Sequence, residues 1–411
     1  MAQAGFPHSW SAVLAALRAR LAAPAPGRIQ VLVGPRQVGK TTLLLRLEHE
    51  LGEHCIYVAA DSPEASLPGW WEQVWRGAED AAQGKGSAVL LVDEIHYLAH
   101  WSRLLKARYD RIARKRIPLH VVVSGSSALQ LGSGGRESLA GRFERLELRH
   151  WSASELAAQL KLKPVKAVQQ SITYGTYPGA QQLLSHTQRW RAYVRDSIID
   201  PAIGRDLLMT ETIRKPALLR QVFAVCIGHP AEIVSLQKLC GQLAEKGALQ
   251  TVAHYLELLE KAGLVAALRK YSPRALRLRA SPPKLVALNQ AMLSVMESVD
   301  IPLREKEPAR FGRWVENACI ACAHNAGHDV YYWRAEPLEV DLVMQGAWGK
   351  WAVEIKTGPY TSRDLAGLLE FSKNNPAFAP LVLCDPEHTR IAENAGVRAL
   401  AWEKFLLEGA G

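Results

Sequence analysis

Cysteine is scarce in this 411-residue chain: there are six, at 55, 226, 240, 319, 322 and 384, too few and too scattered for the disulfide framework of a secreted protein. A reducing cytoplasm is the expected setting. Long apolar runs are also missing. No segment offers about 18 uninterrupted apolar residues, so no transmembrane span is expected. MAQAGFPHSW lacks the basic and apolar regions of a signal peptide, and Arg18, Arg20 and Arg28 interrupt the alanine-rich stretch that follows. With 48% hydrophobic and 22% charged residues the chain is neither disordered nor fibrous. At about 150 residues per domain, two or three domains are expected.

Acidic residues are the minority charge, 40 against 50 basic, giving +10 and a pI near 9.3. An anionic partner follows, with nucleic acid and acidic membrane both allowed. The excess is concentrated: residues 161–304 hold 20 basic and 10 acidic side chains, and residues 305–411 hold 11 and 15. No amphipathic anchor accompanies the basic residues, so DNA is the expected partner and a membrane is not.

IQVLV at 29–33 reads as a buried parallel strand and runs into Gly34-Pro35-Arg36-Gln37-Val38-Gly39-Lys40-Thr41-Thr42, which is G-x-x-x-x-G-K-T between a strand and a helix. The glycines let the backbone curl around phosphates, and the following helix presents its positive end to the same anion. Lys40 would reach the β- and γ-phosphates of ATP, and the Thr41 hydroxyl would ligate Mg2+. A second apolar run, 87–92, ends in Asp93-Glu94. Asp93 would organise the magnesium shell and Glu94 would orient or deprotonate the attacking water. A third run, 119–123, ends in Ser124-Gly125-Ser126-Ser127, where Ser124 is the candidate γ-phosphate sensor, against the alternative of ordinary turn chemistry. Arg142, after Ser138-Leu139-Ala140-Gly141, is either a surface arginine or one that completes a neighbouring subunit's site.

GPRQVGKTTLL, LLVDEIHYL, VVVSGSSALQL and ESLAGRFERLEL, in this order and spacing, resemble the ATPase module of a group of prokaryotic AAA-type (AAA+) proteins. In that group the module precedes a winged-helix segment and a C-terminal domain of unknown function with a PD-(D/E)XK nuclease-like core. The resemblance implies the roles just given for Lys40, Thr41, Asp93, Glu94, Ser124 and Arg142, and a ring or other homo-oligomer. LRHWSASEL departs from the Pro-Leu-Ser that relatives usually show.

Tyr174-Gly175-Thr176-Tyr177-Pro178-Gly179 resembles the group's Gly-Tyr-Pro segment and reads as a turn between lid helices. Residues 232–268 pattern as a helix-turn-helix, with Val252, Tyr255, Leu256, Leu259 and Leu264 facing inward. Two strand-like runs joined by a Ser-Pro turn follow, as a wing would. Arg269, Lys270, Arg274, Arg277 and Arg279 around Tyr271 supply phosphate contacts and an aromatic able to stack or wedge. Gln250, Thr251 and His254 could face bases. The other reading is a protein-packing module with a solvated basic hairpin.

After PLREKEPAR come a helix with Glu316, a strand with Asp341 and a strand with Glu354-Ile355-Lys356. Alternation puts Glu354 and Lys356 on one face. Asp341 and Glu354 could hold a second Mg2+ or Mn2+, with Lys356 positioning water and Glu316 adding a contact. This order resembles the PD-(D/E)XK core; a surface ion-pair network or a DNA-binding remnant is the alternative. Cys319-x-x-Cys322 lacks a second cysteine pair and reads as helix packing rather than zinc. Trp70, Trp71 and Trp75 read as core or interface.

The fold expected is α/β: a three-layer P-loop AAA+ module with a parallel sheet (1–155), a helical lid (156–230), a winged helix (231–300) and a restriction-endonuclease-like α/β domain (301–411). The function expected is a magnesium-dependent ATPase that binds and remodels or translocates on DNA. The alternatives are a nucleotide-controlled protein-interaction switch and an ATP-gated, metal-dependent nuclease.

Overall fold

A computed structural model of the chain describes residues 8–126, 139–210, 213–243, 249–273, 281–296 and 302–411. It divides into two units, residues 8–149 with 205–212, and residues 150–204 with 213–411. No described helix is long and apolar enough to cross a membrane.

The first unit is built on the three apolar runs. β1 (Ile29–Gly34), β3 (Ala88–Asp93) and β4 (Leu119–Ser126) are buried at every residue, as strands covered on both faces must be. With β2 (Cys55–Ala59) and β5 (Phe143–Glu147) they form a wholly parallel sheet in the order β2-β3-β4-β1-β5. Strand alternation divides the core into two layers. Val31, Val33, Leu90, Val92, Val121 and Val123 pack with Trp71 and Trp75 of α3 (Trp70–Lys85) and with Leu105 and Ile112 of α4 (Trp101–Lys115). Leu32, Val89, Leu91 and Val122 pack with Val13, Leu14 and Leu17 of α1 (Trp10–Leu21) and with Leu43, Leu44 and Leu47 of α2 (Lys40–Leu51). Each fully buried side chain of this kind contributes roughly 1.5–3 kcal/mol. β4 lies between β1 and β3, so the C-terminal ends of those two strands flank a crevice of the type that takes ligands in open α/β sheets.

The second unit begins with helices α5 (Ala153–Leu160), α6 (Pro164–Tyr174), α7 (Thr187–Tyr193) and α8 (Pro216–Gly228), over the stretch expected to be a helical lid. The turn at Gly175 is structural: a Cβ there would lie 2.0 Å from the Asn289 side chain, and φ is +69°. Two helices follow, α9 (Leu236–Gln242) and α10 (Leu249–Lys261). Ser235 caps α9 by accepting from the Lys238 N–H. Val252, Tyr255, Leu256 and Leu259 are buried as the pattern required. β6 (Val265–Lys270) and β7 (Lys284–Ala287) then form an antiparallel hairpin.

α11 (Gln290–Met296) and α12 (Pro308–Asn325) lead into β8 (Asp329–Ala335), β9 (Leu338–Gly346) and β10 (Gly349–Ile355). α13 (Ala366–Asn374), β11 (Ala379–Cys384) and β12 (Arg398–Ala401) complete a seven-stranded sheet ordered β12-β11-β10-β9-β8-β6-β7. Arg269 and Lys270 of β6 pair in parallel with Tyr331 and Tyr332 of β8, so residues on either side of position 301 share one sheet. Tyr271 departs from its expected place as a stacking or wedging aromatic. Its N–H donates to Tyr332 O at 2.6 Å, and its ring packs against Tyr331, Phe371 and Phe378. Packing part of an aromatic ring against an apolar cluster outweighs leaving the whole ring in water beside charges.

Candidate functional site

The loop between β1 and α2 wraps a cavity of about 280 Å³. Gly34 is required by packing more than by curvature: a Cβ there would lie 2.1 Å from Leu148 O, whose own amide donates to Val33 O. Gly39 has φ +98°, the left-handed conformation that lets its neighbours turn inward. The Trp10 indole N–H donates to Gly39 O at 3.2 Å and pins the loop from behind. Lys40 is 6% exposed, and its Nζ donates to Gly34 O and Pro35 O at 3.1 and 3.0 Å. Burial lowers the Lys40 pKa, opposed by the Glu94 and Asp93 carboxylates. Thr41 and Thr42, at the start of α2, line the cavity with Gly39 and Lys40.

At the end of β3 the two carboxylates separate in role. Asp93 is buried, accepts from the Tyr57 hydroxyl at 3.0 Å and accepts a short hydrogen bond from the Ser124 hydroxyl. Glu94 has φ +49°, which turns its side chain away from the strand and into the cavity. Its amide donates to Asp93 Oδ1 at 3.1 Å and Ser124 Oγ at 3.2 Å. Burial raises the Glu94 pKa, with Lys40 opposing. His96 Nδ1 lies 3.3 Å from Glu94 Oε2, and burial lowers this histidine to about 4, so it is neutral at pH 7. Of the serines ending β4, Ser126 lines the cavity, while Ser124 holds Asp93. Ser126 Oγ and Glu94 Oε2 are buried with no hydrogen-bond partner among the described residues. Unsatisfied polar atoms around a cavity that carries Lys40 and Thr41 suit a phosphate chain and its magnesium ion.

Two rim residues, Arg205 and Asp206, escaped the sequence reading. Arg36 donates from Nε and Nη2 to both oxygens of Asp206, each at 3.1 Å. The adjacent Arg205 lies over the Tyr97 ring, 5.2 Å from its centroid, and lines the same cavity. Both come from one turn of π-helical backbone, Ala202–Asp206. No spacing rule links them to the loop. Arg142 is tied to Asp110 by bonds of 2.6 and 3.3 Å and is not among the residues lining its own chain's cavity.

In the second unit, Gln250, His254 and Arg269 are exposed, and Thr251 and Lys270 are half-buried. Arg274, Arg277 and Arg279 lie outside the described residues. The turn between α9 and α10 is outside them as well.

Glu316, Asp341, Glu354 and Lys356 are brought together, but a fifth residue joins them. Lys284 of β7, 1% exposed, has its Nζ 2.5 Å from Glu316 Oε1, 3.4 Å from Glu339 Oε1 and 3.7 Å from Asp341 Oδ1. Burial would lower the Lys284 pKa, but the facing carboxylates reverse this and hold it raised. Burial raises Glu316, with Lys284 opposing. Asp341 Oδ2 accepts from the Ile355 N–H at 2.8 Å, and Lys356 Nζ pairs with Glu354 Oε1 at 2.7 Å. Lys284 thus lies beside Glu316, Glu339 and Asp341, whereas Glu354, the other ligand expected for a divalent ion, pairs with Lys356 and keeps Oε2 buried with no hydrogen-bond partner among the described residues. Among the described residues, the only group of three metal-ligand types with converging atoms is Asp385, Glu387 and His388. There the Asp385 carboxylate is already bound by Arg304 and the Trp402 indole. Cys319 is buried in α12.

Residues 26–157 match the family model of an AAA domain, which supports an AAA-type, nucleotide-binding ATPase. Residues 165–302 and 311–405 match two families described as domains of unknown function, DUF8612 and DUF4143. No protein of curated function matches the chain. Similar solved structures include the Thermotoga maritima RuvB Holliday junction branch migration motor, at 20% identity over 64% of this chain and 87% of that one, TM-score 0.33. The Aeropyrum pernix ORC1 protein in complex with DNA matches at 16% identity over 70% and 91%, TM-score 0.28. AMPPCP-bound DnaA from Aquifex aeolicus matches at 14% over 62% and 92%, TM-score 0.31.

Proposed function

We propose that the chain is a magnesium-dependent ATPase that binds DNA and uses hydrolysis to remodel it or move along it. The observation that carries the ATPase half is the cavity in which Lys40, Thr41, Glu94 and the unpaired Ser126 hydroxyl converge on one space. Lys40 and the loop amides bind the β- and γ-phosphates. Thr41 and, one layer back, Asp93 hold magnesium, which offsets phosphate charge when bound. Glu94 takes the proton from the attacking water, since burial has moved its carboxyl toward the pH at which a base is most effective. Neutral His96 lies beside it, Nδ1 3.3 Å from Oε2, and does not compete for the proton. Ser126 and Arg205 sense the γ-phosphate from within the same chain. Arg142, partly exposed on its own subunit, reaches a neighbour's site in a ring-like homo-oligomer.

The DNA half rests on the concentration of charge between residues 161 and 304 and on a helix pair followed by an antiparallel hairpin, which we read as a winged helix. Exposed Gln250 and His254 on α10 would face bases, and Arg269 with the basic residues up to Arg279 would meet phosphates. Replacing Arg269, Arg274, Arg277 and Arg279 together by Gln is expected to reduce DNA affinity and flatten its salt dependence by about 0.9 per lost duplex phosphate contact. An unchanged affinity and slope would remove the wing from the account.

One observation favours a second reading, a nucleotide-controlled protein-interaction switch. β6 is paired into the C-terminal sheet and the partly buried Tyr271 ring packs there, so part of the hairpin is committed to protein packing. DNA-independent hydrolysis would support this reading.

A further inference from the structure

Lys284 is anomalous for its position. It opens the apolar strand KLVA, and its backbone is fixed by pairing with Leu268 on one side and by a bridge to Ile233 on the other. A lysine on a strand normally carries its ammonium to water along its flexible stem. This one ends 1% exposed, its Nζ facing Glu316 from α12 and Glu339 and Asp341 from β9, and donating to Asp341 O at 3.2 Å.

The neighbours of Lys284 make its place specific. Asn317, next to Glu316 on α12, donates to Ala287 O and accepts from Ala287 N–H, both at 2.9 Å, so helix α12 grips β7 at two points. Asp341 commits its second oxygen to the Ile355 amide, and Glu354 gives one oxygen to Lys356. A magnesium ion would need oxygens drawn in to about 2.0–2.1 Å in octahedral geometry. Glu316, Glu339 and Asp341 are instead spread at 2.5–3.7 Å around one ammonium. It is the ammonium of Lys284 that is buried and needs counter-charge, and the half-buried Glu316, Glu339 and Asp341 supply it.

We propose that Lys284 is a built-in cation standing where a divalent metal would sit, so that the cluster binds no Mg2+ or Mn2+ and instead clamps the β6–β7 hairpin to α12 and β9. Its single positive charge offsets part of the charge of the three carboxylates it faces, which would otherwise be open to a cation from solution. Removing that charge while keeping the apolar stem opens them to a divalent ion. The C-terminal sheet is then a metal-independent scaffold, whatever the response of ATP hydrolysis to DNA.

The test counts bound Mn2+ by electron paramagnetic resonance on the full, nucleotide-free chain. Wild type and Asp341→Asn are expected to bind equally. A wild-type Mn2+ ion that Asp341→Asn or Glu316→Gln loses would overturn the proposal, whether or not any other variant folds. Lys284→Met is expected to gain a Mn2+ site that Lys284→Met with Asp341→Asn lacks. A folded Lys284→Met that binds no more Mn2+ than wild type would overturn the claim that the ammonium holds the metal's place. If Lys284→Met does not fold, the wild-type comparison decides alone.

Discussion

Arg36 and Asp206, 170 residues apart in sequence, meet at the nucleotide cavity through two parallel hydrogen bonds of 3.1 Å each. Arg36 belongs to the phosphate loop and Asp206 to the π-helical turn that also carries Arg205. A change in the loop on nucleotide binding is therefore felt by that turn. Paired charges of this geometry are worth about 1.5–3 kcal/mol. With Arg36 26% exposed, the lower part of that range applies after screening.

A double-mutant cycle of Arg36→Ala and Asp206→Ala should show coupling of ~1–2 kcal/mol in stability, read by denaturant unfolding of the nucleotide-free chain. Strictly additive effects would mean that the pair does not connect loop and turn.

Ser124 and Ser126 should separate stability from turnover. Ser124→Ala removes a donor from buried Asp93 and should cost roughly 1–3 kcal/mol in denaturant unfolding. Ser126→Ala deletes a hydroxyl that has no partner among the described residues. It should leave unfolding unchanged and lower kcat. The opposite pattern would return the sensing role to Ser124.

His150 makes stability depend on pH. It is buried, its Nε2–H donates to Gly263 O at 2.8 Å, and its Nδ1 accepts from Asn289 at 3.2 Å, so the ring is held neutral. Burial lowers it from 6.5 to about 4, with the Gly263 hydrogen bond opposing. Between these values the unfolded chain binds the extra proton, so stability falls as pH drops from 6.5 toward 4. From pH 7 to pH 5 the loss attributable to this group should be about 2 kcal/mol, by the 1.36 kcal/mol per unit relation. His150→Gln should flatten urea midpoints over that interval relative to wild type. Parallel curves would show that His150 is not the group responsible.

The parts of the site that could be read from sequence are those where one stretch of chain carries both strand and chemistry. The run from Ile29 to Thr41 and the run from Ala88 to Glu94 each join a fully buried strand to its polar end, so position in the sheet follows from composition. Which of Val31, Leu32 and Val33 enters which of the two cores follows from strand alternation once the sheet is covered on both faces. Lys284 and Asp206 were not legible in the sequence, because each acquires its role from groups far away in sequence. Lys284 reads as one charge on a short strand until Glu316, Glu339 and Asp341 close around it. A lone lysine in an apolar run, PPKLVAL, was the available signal. Tyr271 differed in the other direction: adjacent arginines suggested a solvent-facing aromatic, while Phe371 and Phe378 offer it an apolar surface to pack on, leaving it partly buried.

Glu94→Gln provides the control for the enzymatic claim. It should keep ATP affinity and lose ~10²–10⁴-fold in kcat, as loss of a general base does. Unchanged kcat would place the base elsewhere.

The central claim joins ATP hydrolysis to DNA, and the ATPase rate of the wild-type chain with single-stranded, duplex and branched DNA tests it most directly. The account predicts that at least one of these raises the rate several-fold, that added salt abolishes the increase, and that Lys40→Ala hydrolyses nothing under any condition. A rate that is the same with and without every DNA at low salt would contradict it.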